Sequence, residues 1–217
     1  MPAAQSPHLH QGQPVLTGGV PLAQARAALV LIHGRGASAE DILQLGEQVG
    51  LPGWALLAPQ AAGNTWYPYS FLSPIAQNEP WLTSALRAIQ GVLDHLAQHG
   101  LPAGRTVLLG FSQGACLALE FAARHARRYG GLIGLSGGLI GPPGTPRQYP
   151  ASLAGTPVFL GCSDVDPHIP AWRVEESAQV LSALGGLVDA RLYPGMGHTV
   201  NPDELQAVQR ILQALPA

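Results

Sequence analysis

Residues 106–114 read Thr-Val-Leu-Leu-Gly-Phe-Ser-Gln-Gly, an apolar run that closes in G-x-S-x-G and leads straight into a helix-like stretch. The pattern predicts a buried strand over Thr106–Leu109 and a helix over Gln113–Arg127. Between them Ser112 must turn the chain sharply. Gly110 and Gly114 carry no side chain, so backbone can pack closely on both sides of the turn. A turn of this kind raises the serine hydroxyl above the end of a sheet, where a base can reach it. A chain built this way is expected to attack acyl carbonyls.

The rest of the sequence repeats the strand–helix alternation. Apolar runs predict strands at Ala27–Ile32, Trp54–Ala58, Gly131–Leu135, Val158–Gly161 and Val188–Tyr193. Helical spacing predicts helices at Ala39–Val49, Glu79–Gln98, Trp172–Leu184 and Asp203–Ala214. Ser38 suits an N-cap, with Glu40 and Asp41 in the first turn; Asn201 or Pro202 starts the last helix. Alternation of this sort implies a mostly parallel central sheet with helices on both faces, an α/β fold. No repeat and no shift in composition marks a second unit. Residues 1–217 are therefore expected to form one domain, with 1–14 a loosely ordered leader. Two long connections stand out, Gln60–Asn78 and the Gly/Pro-rich Gly137–Pro150, and a long loop in a compact domain usually serves function.

A serine hydroxyl is a weak nucleophile near neutral pH. It needs a base, and the base needs an acidic partner to fix its tautomer and stabilise its cation. In an open α/β sheet such groups gather past the carboxyl ends of strands. Downstream of Ser112 the carboxylates that directly follow a strand are Asp164 and Asp166, in Gly-Cys-Ser-Asp-Val-Asp-Pro-His-Ile-Pro. Asp166 is preferred because Pro167 holds it extended; Asp164 suits local turn hydrogen bonds. His198 follows the last strand through the turn Tyr193-Pro194-Gly195-Met196-Gly197 and is the expected base. His168 lies too near the acid for that role, and His95, His99 and His125 lie on or beside helices. The order Ser…Asp…His is that of an α/β-hydrolase fold.

The tetrahedral intermediate needs donors for its oxyanion. One expected donor is the backbone N–H of Gln113. The other comes from His33-Gly34-Arg35-Gly36 after the first buried strand, and the amide of Arg35 is the best placed; His33 itself reads as a structural hydrogen bonder. A second G-x-S-x-G at Gly134–Gly138 also follows a strand, but Gly and Pro follow it in place of a helix, so Ser136 is a poor nucleophile candidate. Trp66, Tyr67, Tyr69 and Phe71 are candidates for lining a substrate pocket, with packing inside their own loop as the alternative.

Composition narrows the chemistry. All 11 basic residues are Arg, which excludes a phosphate-binding lysine, a Schiff base and a Ser-Lys dyad. The 2 cysteines, Cys116 and Cys162, make neither a disulfide framework nor a zinc set and suit apolar packing. A formal net charge of −2 with no basic stripe gives no sign of a nucleic-acid partner. No apolar stretch is long enough to span a bilayer and the start lacks a signal-peptide pattern, so a cytoplasmic location is expected.

With these residues in hand, the chain resembles the phospholipase/carboxylesterase family of α/β-hydrolases, which includes acyl-protein thioesterases. The resemblance runs from about residue 27 to near the end. It rests on Leu31-Ile32-His33-Gly34-Arg35-Gly36, Gly110-Phe111-Ser112-Gln113-Gly114-Ala115, Gly161–Pro170 and Gly195-Met196-Gly197-His198. It implies Ser112 as nucleophile, Asp166 as acid, His198 as base, and no metal or organic cofactor. Ala58-Pro59-Gln60 with Asn64-Thr65-Trp66-Tyr67 is more similar to the bacterial carboxylesterase branch than to the eukaryotic thioesterases, which commonly carry Leu in place of Arg35. The expected activity is a serine carboxylesterase acting on small to medium acyl esters. An acyl-protein thioesterase or lysophospholipase is the alternative, and a non-catalytic ligand-binding protein on the same scaffold the minor one. The expected partner is a small acyl ester or thioester, and a homodimer fits an apolar chain of this family.

Overall fold

A computed structural model describes residues 9–215. The sheet has seven strands in the order β1-β3-β2-β4-β5-β6-β7. These are β1 Val15–Gly19, β2 Ala27–Ile32, β3 Trp54–Pro59, β4 Thr106–Phe111, β5 Gly131–Leu135, β6 Pro157–Ser163 and β7 Leu187–Tyr193. All neighbours from β3 to β7 pair in parallel; β1 alone runs antiparallel, with Val15 opposite Pro59 and Gly19 opposite Ala55. The helices are α1 Ala39–Val49, α2 Trp81–Gln98, α3 Gln113–Arg124, α4 Ala171–Ala183 and α5 Pro202–Ala214. This is the α/β-hydrolase fold: the alternation of apolar runs predicts its mostly parallel sheet with helices on both faces, and the order Ser…Asp…His and the family resemblance predict the fold itself.

The period-2 geometry of a strand divides the core. On β2, Ala28, Val30 and Ile32 face one layer with α2, α3 and α4, where Leu82, Ile89, Leu117, Phe121, Val174 and Leu181 pack. Ala27, Leu29 and Leu31 face the other layer with α1 and α5, against Ile42, Val49, Val208 and Leu212. Because both faces are covered, β2 to β6 read as apolar runs in the sequence, whereas the edge strand β7 carries Asp189 and Arg191 and is partly exposed. None of the helices among the described residues is long and apolar enough to cross a membrane.

The sequence reading missed β1. Val-Leu-Thr-Gly-Gly is short, ends in glycine and lies at a sheet edge with alternate residues exposed, so it lacks the apolar continuity of the central strands. The expected leader also needs correction. Residues 1–8 lie outside the described residues, but His10 is buried. It donates from Nε2 to the Trp66 carbonyl at 2.9 Å and accepts at Nδ1 from the Ala62 N–H at 3.1 Å. Helix α2 starts at Trp81, two residues later than the periodicity suggested, with Pro80 at its N-cap. Helix α3 stops at Arg124, short of the expected Arg127.

Helix α5 carries one costly group. Asn201 and Glu204 form a capping box: the Asn201 N–H donates to Glu204 Oε2 at 2.8 Å and the Glu204 N–H donates to Asn201 Oδ1 at 2.9 Å. The other carboxylate oxygen of Glu204 is buried against Gly161 of β6 with no hydrogen-bond partner. Burial raises this carboxyl to about 7.

Candidate functional site

The turn at Ser112 is strained as the sequence requires. Its backbone sits at φ 56 and ψ −121, a region open mainly to glycine. A Cβ at Gly110 would overlap the backbone of Gly114, and one at Gly114 would overlap the carbonyl oxygens of Ile32 and His33. Both glycines are therefore required by close approach of backbone. The parallel strand β4 delivers the serine and α3 begins at the next residue.

Three strand ends bring the expected side chains together. His198 Nε2 lies 2.9 Å from Ser112 Oγ, and His198 Nδ1 lies 2.7 Å from Asp166 Oδ2. An ionised carboxylate only accepts hydrogen bonds, so Nδ1 carries the proton and Nε2 is left to accept from the serine hydroxyl. The second oxygen of Asp166 accepts the backbone N–H groups of His168 at 2.8 Å and Ile169 at 3.0 Å. Burial alone would raise this carboxyl. The bonds from His198 and the two amides outweigh it and leave the group below the usual carboxylate value. The side chain of Asp166 is 0% exposed and that of His198 20%, so the acid is sheltered while the base faces the cleft.

The loops that carry these groups are tied to one another. Asp164 accepts the Gly195 N–H at 2.8 Å, and Ser163 Oγ accepts the Gly197 N–H at 3.0 Å. This bond of Asp164 spans 31 positions, in place of the local turn bonds expected, and it holds the turn that presents His198. The decoy serine is excluded from this assembly: Ser136 is fully buried at the end of β5.

On the other side of Ser112 lies the turn His33–Gly36. It is pinned by Gly36 N–H donating to the Asn64 carbonyl at 2.7 Å and Ala37 N–H donating to that of Gly34 at 3.3 Å. His33 is buried, donates from Nδ1 to the Gly34 carbonyl at 2.8 Å and accepts at Nε2 from Ala61 N–H at 3.1 Å. Burial depresses the basicity of both His33 and His10. Gln113 opens α3, so its amide is among the first N–H groups that have no intrahelical partner. Its side chain spans the loop opposite, accepting from the Trp66 N–H at 2.9 Å and donating to the Tyr67 carbonyl at 2.8 Å.

A cleft of about 500 Å³ opens over Ser112 and His198. Of the four aromatic residues expected to line it, Tyr67, Tyr69 and Phe71 do so and Trp66 does not. Trp66 is instead fully buried beneath the site, where its indole N–H donates to the His33 carbonyl at 2.9 Å. Its backbone runs beside the elbow, and that turns the large ring inward. Cys116, His168 and Ile169 also line the cleft. Cys116 carries a thiol pushed up to about 12 by burial, so it is a wall and not a nucleophile. The position of His168, two residues past the acid, was the available signal for its place in the cleft.

The sequence model of the phospholipase/carboxylesterase family matches residues 20–215. The chain is similar to an acyl-protein thioesterase 1 of Gibberella zeae, with 33% identity over 144 residues that cover 60% of this chain and 58% of that protein. The matched stretch is thus less than two thirds of that relative's length. Among solved structures, a phospholipase/carboxylesterase from Dyadobacter fermentans superposes with a TM-score of 0.89 and 43% identity, covering 93% of this chain and 96% of that one. Esterase PE8 superposes with a TM-score of 0.76 and 26% identity, covering 94% and 98%.

Proposed function

The chain belongs to the phospholipase/carboxylesterase family, and on that premise we propose that it is a serine carboxylesterase hydrolysing small to medium acyl esters through an acyl-enzyme. The observation that carries the reading is the series of contacts from Asp166 through His198 to Ser112, at 2.7 and 2.9 Å. His198 takes the serine proton as Oγ attacks the ester carbonyl. The amides of Arg35 and Gln113 receive the negative charge that develops on the carbonyl oxygen. His198 then protonates the departing alcohol, and a water molecule repeats the sequence on the acyl-serine to release the acid and restore the hydroxyl. Asp166, kept ionised by its hydrogen bonds, holds the imidazole in the productive tautomer and stabilises its cation.

The apolar part of the cleft lining, Tyr67, Phe71, Cys116 and Ile169, suits the acyl group. A second reading, an acyl-protein thioesterase or lysophospholipase using the same side chains, is favoured by the thioesterase relative. Rates on a chain-length series of p-nitrophenyl esters, matched thioesters and a lysophospholipid decide between them. Ser112→Ala should abolish turnover in all three series, and Asp166→Asn should lower kcat by about 10³–10⁴. Full activity in either variant would end the proposal.

A further inference from the structure

We infer that the substrate of this cleft carries a negative charge of its own, a carboxylate or a phosphate a few bonds from the scissile ester. The inference rests on the reading of Ser112 as nucleophile and concerns what the site selects. The described cleft lining contains Arg35, His168 and His198 and no acidic residue. The nearby carboxylate of Asp166 is covered and already satisfied by His198 and two backbone amides. Arg35 is the one formally charged side chain in that lining, whereas the whole chain has a formal net charge of −2.

Arg35 is the more telling of the two. The oxyanion reading uses only its amide, which any residue would supply, so the reaction itself does not ask for a guanidinium there. The side chain is nevertheless held in place over the cleft wall. Nη1 donates to the Pro68 carbonyl at 2.9 Å and Nη2 to the Tyr69 carbonyl at 2.7 Å, with the Tyr67 ring 5.9 Å away. A guanidinium has five N–H groups, so these bonds leave others available to an incoming anion. Because the group is already anchored, little side-chain freedom is lost when it binds.

His168 supplies a second donor from another loop. Its ring lies edge-on to that of His198 at 4.9 Å between centroids, and it lines the same cleft as Ser112. An imidazole can donate a hydrogen bond whether or not it is protonated. An anionic substituent on the acyl or alcohol side of the ester would meet Arg35 and His168, while the carbonyl stays with Ser112.

The test compares kcat/KM on matched pairs of esters, followed by acid release in a pH-stat. Monomethyl glutarate against methyl pentanoate swaps a terminal methyl for a carboxylate. Glycerol 1-pentanoate 3-phosphate against glycerol 1-pentanoate adds a phosphate on the alcohol side. The wild type should favour the charged member of at least one pair by about tenfold, and the pair that responds identifies the anion. Added salt should raise KM for that member alone. Arg35→Gln and His168→Leu should each bring the charged-to-neutral ratio of kcat/KM toward one, with the loss on the charged ester lying chiefly in KM. If Arg35 only ties the loop, its loss would lower both members equally, and a ratio that does not move in either variant overturns the inference. So does a wild type that hydrolyses neutral esters as fast as charged ones. Neither outcome touches the role of Ser112, whose replacement by Ala must silence every ester if the underlying reading holds.

Discussion

Replacing Glu204 by Gln should stabilise the protein at alkaline pH and do little at acid pH. Burial, ahead of the neighbouring Asp203 charge, raises this carboxyl from an ordinary 4.5 to about 7, and the Asn201 N–H opposes the rise. Between those values the folded chain keeps a proton that the unfolded chain has released, so stability falls as pH climbs through the window. Full ionisation then costs about 3 kcal/mol relative to the unfolded chain. Gln has the shape of the protonated acid and keeps an oxygen for the Asn201 N–H, so the capping box survives. Urea unfolding of both proteins should show the variant more stable by about 3 kcal/mol near pH 8, but by under about 1 kcal/mol near pH 5. A difference that is the same at both pH values, or a variant less stable near pH 8, would refute the argument that the second oxygen of Glu204 is buried without a partner.

The buried histidines titrate in the opposite sense. His10 and His33 have folded values below the ordinary 6.5, so the unfolded chain takes up protons first on acidification and stability falls as pH drops below about 6.5. In the Glu204→Gln background, where the opposing carboxyl is gone, stability should rise from about pH 5 to about pH 7; a flat profile would contradict the neutral, hydrogen-bonded state of both rings. Gly114→Ala should cost about 3 kcal/mol or more in urea unfolding, since its methyl would overlap the Ile32 and His33 carbonyls; a variant as stable as the parent would disprove that approach. Cys116 and Cys162, both buried with thiols pushed up to about 12, should resist a thiol reagent in the folded protein and react on unfolding. Rapid modification without loss of structure would show that one of them is accessible.

The parts of the site that were legible in sequence are those whose chemistry is local. Ser112 sits between two glycines at the end of an apolar run, and Asp166 and His198 each follow a strand within a few residues, so strand ends and chain order were enough to pair them. What stayed hidden depends on contacts across long stretches of chain. His10 looked like leader because its partners, Ala62 and Trp66, lie more than fifty positions away. Trp66 shares a loop with Tyr67 and Phe71, and nothing in the local pattern says that its ring turns under the elbow to reach His33. Strand β1 shows no apolar run because alternate side chains face solvent and only the others are partly covered. Glu204 reads as an ordinary first-turn acid until Gly161 closes over it.

The most direct test of the account is covalent labelling with a fluorophosphonate, followed by mass spectrometry of the peptides that carry Ser112 and Ser136. The account predicts one adduct per chain, on Ser112, absent in Ser112→Ala and formed far more slowly in His198→Ala. An adduct on Ser136, or an unlabelled Ser112 in folded protein, would contradict the claim that the serine at the head of α3 is the activated nucleophile.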